Sequence, residues 1–514
     1  MYLTQSLHRN VQLDADGVCT VYGGRTRTWS ESADRVARLA AGLKGLGIGI
    51  GDRVAILSLN SDRYHEYLLA TWWLGAVVNP INIRWSPAEI AYSLEDSATA
   101  VLLIDDTFLP ALGAVRAASP GLTTVVHCGD GATPDGLVAY ESLLEHGTVD
   151  DLRQGGDALA GIFYTGGTTG FPKGVMLSHT NLIVSALGSS SSGTFLVPGG
   201  RLLHAAPMFH LADLAAWNAR NLMGGSHVIV PMFTPDGVIA AIEQHRPTDA
   251  LLVPTMLQML VDAPGVKEAD TSSMERVVYG ASPISEALQE RVARALPSAS
   301  LMQAYGMTEL APVATILSPE AHEDPVLRRS CGRAAPHAEV RIVDENDVEV
   351  PRGTVGEIVV RGAHVMLGYW NKPEETAAAL KGGWMHTGDG GRMDERGYVF
   401  IVDRIKDMIV SGGENVYSAE VENAVAQHPS VAACAVIGVP DTEWGERVHA
   451  VIVLKPEATI DIDDLREHTK GLIAGYKAPR SLELIDALPL SGAGKVLKRE
   501  LRAKHWDGAD RAVN

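Results

Sequence analysis

Cysteine is scarce and scattered in this chain. Cys19, Cys128, Cys331 and Cys434 lie far apart and form no C-x-x-C pair. Zinc is therefore not expected, and a reduced, cytoplasmic setting fits better than a disulfide framework. Long apolar runs are missing too. The longest, around Leu68 to Val78, falls short of the roughly 20 residues a transmembrane helix needs. Met1 to Asn10 carries no apolar core of a signal peptide. Basic charge is in deficit: 43 Lys+Arg against 62 Asp+Glu leave a net charge of −19. That balance argues against nucleic acid or an anionic membrane as partner. Any anionic substrate must then be drawn in by a local basic or N–H-lined site.

What is present describes an ordinary globular protein: 514 residues, 46% hydrophobic and 20% charged, enough for about three domain-sized units. Thr28-Trp29-Ser30-Glu31 is a capping-box pattern that opens a helix with apolar positions Val36, Leu39, Ala40, Leu43 and Leu46. Apolar strands are expected at Val54 to Leu57, Ala76 to Val78, Ala100 to Ile104, Thr123 to Val126, Val228 to Val230 and Ala250 to Val253, separated by helix-length segments such as Tyr64 to Leu74. Such alternation implies α/β architecture with largely parallel, covered sheets. After about Ala334 the pattern changes to short strands joined by polar turns: Val340 to Val343, Gly356 to Val360 and Tyr398 to Val402. An antiparallel or barrel-like subdomain is expected there. A small α+β unit follows from Arg404, with strands at Ala432 to Val436 and His449 to Leu454. No repeats stand out, and Gly188 to Gly193, a serine run between glycines, reads as a solvated connection.

The segment Tyr164-Thr165-Gly166-Gly167-Thr168-Thr169-Gly170-Phe171-Pro172-Lys173-Gly174 carries the strongest chemical signal. Glycine lets a backbone approach an anion and adopt positive φ, and consecutive N–H groups form an anion nest. Threonine hydroxyls and one lysine complete a cradle for polyphosphate. The Walker pattern does not fit, because Pro172 stands where its second glycine should precede the lysine. A flexible connection would have a similar composition; the terminal lysine favours the phosphate reading.

Further motifs follow in order: Tyr305-Gly306-Met307-Thr308-Glu309, His386-Thr387-Gly388-Asp389, Asp403-Arg404-Ile405-Lys406-Asp407, Ser411-Gly412-Gly413-Glu414-Asn415 and Gly494-Lys495. Together with the loop they resemble the adenylate-forming superfamily of acyl-CoA synthetases, luciferases and peptide-synthetase adenylation domains. The resemblance runs from about Thr28 to Leu501. It implies a large N-terminal domain, 1–403, holding the acid and ATP sites. It also implies a small mobile C-terminal domain, 404–514, carrying a catalytic lysine.

The implied reaction joins a carboxylate to the α-phosphate of ATP, releases pyrophosphate, and then passes the acyl group to CoA. Both reactants of the first step are anions, so positive charge and oriented donors are required where charge builds. By resemblance Lys495 is the catalytic lysine, a point charge between carboxylate and α-phosphate; as a bare residue it could belong to a basic tail with Lys498 and Arg499. Thr308 and Glu309 are implied to be catalytic, with Glu309 and Thr168 as oxygen ligands of Mg²⁺. Thr165, Gly166, Gly167, Thr168, Thr169, Gly170 and Lys173 would hold the phosphates. Tyr305 and Gly306, with Gly280, Ala281 and Ser282, would flank adenine. Asp389 would accept from ribose hydroxyls, with Arg404 beside it, although Asp389 could equally be a turn residue. Lys406 is the implied hinge, and Gly412, Gly413 and Glu414 the segment that meets CoA.

The implied acid site combines His210, a gate between acyl pocket and thiol path, with Asp213, Trp217, Tyr279, Gly280 and Pro312. Leu214, Ala311 and Val313 lie beside them. Asp213 is unusual next to hydrocarbon and, if buried, needs a partner or must neutralise. One departure stands out: Gly166 occupies a position where the superfamily usually has serine, which removes a donor worth about 0.5–1.5 kcal/mol. The partner implied is a small-molecule carboxylic acid, whether fatty, aryl or bicyclic. An amine or a separate carrier protein as acceptor, and a homodimer, stay open.

Overall fold

The computed structural model describes residues 1–165, 172–282, 284–404, 407–412, 414–490 and 496–506, with Arg404 and Asn415 described by backbone alone. The chain forms two compact units. One is Met1–Val340 with Val360–Met385; the other is Arg341–Val359 with His386–Asn514.

Strand–helix alternation builds two large sheets in the first unit. The eight-stranded sheet runs in the order 368–369, 173–178, 159–165, 77–80, 53–57, 101–104, 124–127, 138–139. The nine-stranded sheet runs 333–334, 315–317, 300–305, 276–280, 249–251, 201–204, 226–229, 18–22, 25–28. Their central pairs are parallel; antiparallel pairs stand at both edges of the nine-stranded sheet and at the 368–369 edge of the eight-stranded one, whose other edge strand, 138–139, is parallel to 124–127. This is the covered, parallel-rich α/β architecture that the alternation predicts. The capping box forms as expected: Glu31 N–H donates to Thr28 Oγ1 at 3.1 Å while Thr28 N–H donates to Glu31 Oε2 at 2.8 Å.

The helix Asp62–Trp73 is buried along its whole length and packs on strands of both sheets. A helix buried all round must neutralise its own acids. Arg25 pairs with Asp62 at 2.9 Å, and Arg35 with Glu66 at 2.6 Å. A second buried pair ties the helix Leu211–Met223 to the nine-stranded sheet. Arg220 Nη2 lies 2.6 Å from Asp249 Oδ2, with both side chains fully enclosed. Burial pushes the Asp249 carboxyl up and the Arg220 guanidinium down, and each partner opposes the other's shift. Asp249→Ala leaves a buried cation uncompensated and is expected to cost about 3–5 kcal/mol of stability. Thermal and denaturant unfolding check this; a loss below about 1 kcal/mol would contradict it.

One expectation is corrected. Gly188 to Gly193 is not a solvated connection, because the helix His179–Ser191 runs into it and Ser189 is buried. Gly188 sits against the His337 ring, where a Cβ would collide. Tertiary packing overrides the weak helix propensity of serine here.

The second unit holds a four-stranded sheet ordered 339–343, 356–361, 385–393, 399–404. Beyond it lies a separate five-stranded sheet of 414–416, 409–411, 445–454 and 431–441, with 481–484 parallel to 445–454. No described helix is long and apolar enough to cross a membrane.

Candidate active site

Thr165 and Lys173 are cross-strand partners at the end of the hairpin Leu159–Thr165 and Lys173–Ser178. Gly166 to Gly170, with the Thr168 metal position, lie outside the described residues. The base of that loop is firmly seated: Tyr164 donates its hydroxyl to Asp96 at 2.6 Å, and Trp370 N–H donates to Gly174 O at 2.7 Å. Lys173 Nζ stands 5.1 Å above the Tyr369 ring. The Tyr369 hydroxyl in turn donates to Glu309 Oε1 at 2.8 Å. Burial, then the Glu309 charge, pushes the Tyr369 phenol up, so it stays a donor. A lysine from position 173 and a glutamate from position 309 thus share one tyrosine. Tyr369 is a site residue the sequence reading missed; a tyrosine in Gly368-Tyr369-Trp370 carries no signal until strand 368–369 pairs with Val175 and Met176.

Glu309 sits in the short turn Thr308–Leu310, just past the strand Ser300–Tyr305. The neighbouring parallel strand Arg276–Gly280 ends level with it, Gly280 pairing with Ala304. Gly280-Ala281-Ser282 and Tyr305-Gly306 therefore leave the carboxyl ends of two adjacent parallel strands, the edge at which open α/β sheets bind ligands. Side chains are excluded at two points. A Cβ at Gly280 would strike the Ala304 carbonyl, and one at Gly306 the Pro312 carbonyl. Ala281 holds φ +67°, a left-handed backbone that only surrounding structure can impose on alanine.

His210 caps the helix Leu211–Met223, its Nδ1 accepting from Ala212 N–H at 3.5 Å. The strand-to-helix turn before it is fixed by Asn60, which accepts from Met208 N–H at 2.7 Å and donates to Ala206 O at 2.9 Å. Asn60 is a second residue the motifs did not reveal. Asp213 has the partner its burial demands, His204 Nδ1 at 2.7 Å. His204 Nε2 then meets His227 Nδ1 at 2.9 Å. Trp217 donates its indole N–H to His65 at 3.0 Å. The Asp213 and Trp217 side chains are each 1% exposed, and both anchor the helix Leu211–Met223 within the core. Tyr279 is likewise enclosed, its hydroxyl 2.9 Å from His322 Nε2. Pro312 follows the turn Thr308–Leu310, near Gly306.

In the second unit, Asp389 pairs across strands with Arg404. Its N–H donates to Thr387 Oγ1 at 3.1 Å, and Thr387 donates to Ile358 O at 2.7 Å. Gly388 adopts φ +70° and donates its N–H to Glu357 Oε1 at 2.9 Å. Gly412 and Glu414 flank the tip of the hairpin Ile409–Ser411 and Glu414–Val416. Gly412, at φ +62°, packs where a Cβ would come within 2.7 Å of the Trp444 ring. Gly413, Lys406 and Lys495 lie outside the described residues. The segment carrying Lys495 is closed at its base by the bridge between Leu490 and Val496.

Family models match both parts of the chain: an AMP-binding enzyme model over residues 7–370 and an AMP-binding enzyme C-terminal domain model over 420–495. The chain belongs to the AMP-binding enzyme family. This adenylate-forming enzyme is 40% identical over 498 residues to a feruloyl-CoA synthase of Amycolatopsis, covering 96% of the chain and 97% of that protein. It is 36% identical to a fatty acid–[acyl-carrier-protein] ligase of Streptomyces coeruleorubidus, covering 100% and 98%. The crystal structure of an anthranilate CoA ligase in complex with anthranoyl-AMP superposes with a TM-score of 0.91, at 26% identity, over 98% of this chain and 97% of that one. The enzyme is thus an AMP-forming acid ligase with the architecture of its superfamily.

Proposed function

We propose that this enzyme activates an aryl carboxylic acid of the hydroxycinnamate type with ATP and transfers the acyl group to CoA. The likeness to feruloyl-CoA synthase along almost the whole chain supports the acid class. The observation that carries the site is the Lys173–Tyr369–Glu309 chain beside the carboxyl ends of the strands 276–280 and 300–305. It sets one cation and one carboxylate at the edge where a nucleotide would lie.

In the first step a carboxylate oxygen of the acid bonds to the α-phosphorus of ATP, and the bond to the bridging oxygen breaks as pyrophosphate leaves. Lys173, Thr165 and the loop donors hold the departing phosphates. Lys495 stabilises charge at the α-phosphate. Tyr305 and Gly306, with Gly280, Ala281 and Ser282, hold adenine, and Asp389 with Arg404 holds ribose. In the second step the CoA sulfur bonds to the acyl carbon, and AMP departs as the carbon–oxygen bond breaks. The thiol proton goes to solvent. Gly412, Gly413 and Glu414 guide the pantetheine arm and His210 gates its path, with domains at 1–403 and 404–514. Asp213, Trp217 and Tyr279 shape the acid site from within the core, while Gly280 and Pro312 border it.

The donor set around Glu309 suits Mg²⁺. One carboxylate, with phosphate oxygens and water at the other positions, is what a phosphate-borne Mg²⁺ needs, while the Lys173 ammonium would pair with the phosphates themselves. Thr168 would be its companion, and the ion would neutralise the phosphates. Glu309→Gln keeps an oxygen to accept from Tyr369 but loses the charge. It should slow adenylation about 10–100-fold, with recovery as Mg²⁺ is raised. Kinetics unchanged beside a lower melting temperature would show Glu309 to be structural.

A second acceptor is favoured by one observation, the likeness to a carrier-protein ligase over the full chain. Acyl transfer assayed with CoA, with a phosphopantetheinyl carrier protein and with amines separates these readings. Product with CoA alone supports the first.

A further inference from the structure

Outside the motifs used above, His449, Glu483 and His505 turn their side chains toward one point in the second unit. His449 lies on the strand Gly445–Leu454, and Glu483 on the adjacent parallel strand Ser481–Leu484. His505 lies just past the helix Lys498–Ala503. One ligand atom from each falls within 4.8 Å of the others. His505 Nε2 is 3.6 Å from Glu483 Oε2, and His449 Nε2 is 4.0 Å from the same oxygen.

These distances are too long for hydrogen bonds. Both Nε2 atoms are buried and lack a hydrogen-bond partner, a costly arrangement for polar nitrogens. His449 is only 5% exposed, so solvent does not relieve it. Its other nitrogen is engaged, Nδ1 lying 2.7 Å from Ser481 Oγ. A second partner of that kind fixes the ring and leaves Nε2 as the ligating atom. Glu483 is oriented likewise, its Oε1 accepting from Lys504 at 3.0 Å while Oε2 faces the imidazoles.

We propose that His449, Glu483 and His505 form a three-ligand site for a transition-metal dication of the Zn²⁺ class. Tetrahedral coordination by imidazole nitrogen and carboxylate oxygen places ligand atoms about 3.3 Å apart. Two of the separations, 3.6 and 4.0 Å, are within about 1 Å of that spacing, and the third, within 4.8 Å, closes by at most about 1.5 Å. The scattered cysteines bear only on thiolate sites, and this one uses none. Its ligands come from two strands and from the chain beyond the last described helix. The ion therefore clasps the helix Lys498–Ala503, which follows the segment carrying Lys495, onto the five-stranded sheet.

The test uses the full chain without an affinity tag, stripped of metal and free of nucleotide. Titration with Co²⁺ alone should give one saturable equivalent with the visible bands of a four-coordinate ion, displaced by Zn²⁺. Zn²⁺ should also raise the melting temperature of the unaltered enzyme. His505→Ala and Glu483→Gln should each weaken binding by at least roughly 10–100-fold and abolish the melting shift. His146→Ala, an exposed histidine elsewhere, should change neither. Equal Co²⁺ affinity in the unaltered enzyme, His505→Ala and Glu483→Gln would overturn the proposal, as would no saturable binding. The His505 side chain is 28% exposed, so its replacement tests the site even if a variant at buried His449 fails to fold.

Discussion

Lys495→Ala is expected to slow adenylate formation by about 10²–10³-fold, the scale of losing one donor aimed at developing charge. Thioester formation from a pre-formed acyl-adenylate should be nearly unaffected. In the proposed mechanism the two half-reactions have different surroundings, and the lysine is assigned to the one in which a carboxylate meets a phosphate. The neighbouring basic residue cannot substitute. Lys498 is half-buried, donating to Ser418 Oγ at 2.6 Å and paired with Glu422 at 2.8 Å. Burial opposes its charge, yet Glu422 and Asp403 outweigh that and hold its pKa up. Pre-steady-state pyrophosphate release, run beside acyl-CoA formation from synthetic adenylate, measures both halves. Equal loss in both would refute the division of labour.

Lys406→Pro should separate the halves in the opposite direction. Proline fixes φ near −65° and removes an N–H, so a backbone that must rotate at this position is locked. Acid-dependent pyrophosphate release should persist for one turnover while acyl-CoA output collapses. The residues on either side are tied differently. Asp403 Oδ2 accepts from Ser418 Oγ at 2.6 Å, and Asp407 pairs with Arg502 at 2.7 Å. A rotation about Lys406 would carry Arg502 along with Asp407 but part Asp403 from Ser418, and breaking that contact would oppose the step. Domain movement of this kind often limits turnover. Acyl-CoA formation at the unaltered rate would place the hinge elsewhere.

Strand positions were the most legible part of the fold. Val54 to Leu57, Ala100 to Ile104 and Thr123 to Val126 stand within a residue or so of observed strands, because a strand buried on both faces must be a short apolar run. The capping box at Thr28 was legible for a similar local reason. Partition of the strands between two sheets was not, since Val54 to Leu57 and Ala250 to Val253 are alike short apolar runs and join different sheets only through long-range pairing. The serine run after Gly188 misled because its helix is imposed by packing against His337. At the site, motif residues were visible by resemblance, whereas Tyr369 and Asn60 act through contacts that only the fold creates. Asp213 shows the same limit. Its need for a partner follows from its burial, but His204 is identified only by geometry.

The central claim is acid activation as an adenylate followed by transfer to CoA. Its most direct test is pyrophosphate and AMP release with ATP over a panel of aryl and fatty acids, with and without CoA. The account predicts acid-dependent pyrophosphate release that is small without CoA and sustained with it, with acyl-CoA accumulating in step with AMP and hydroxycinnamates among the best acids. Sustained turnover that is indifferent to CoA, or ATP cleaved to ADP and phosphate, would contradict it.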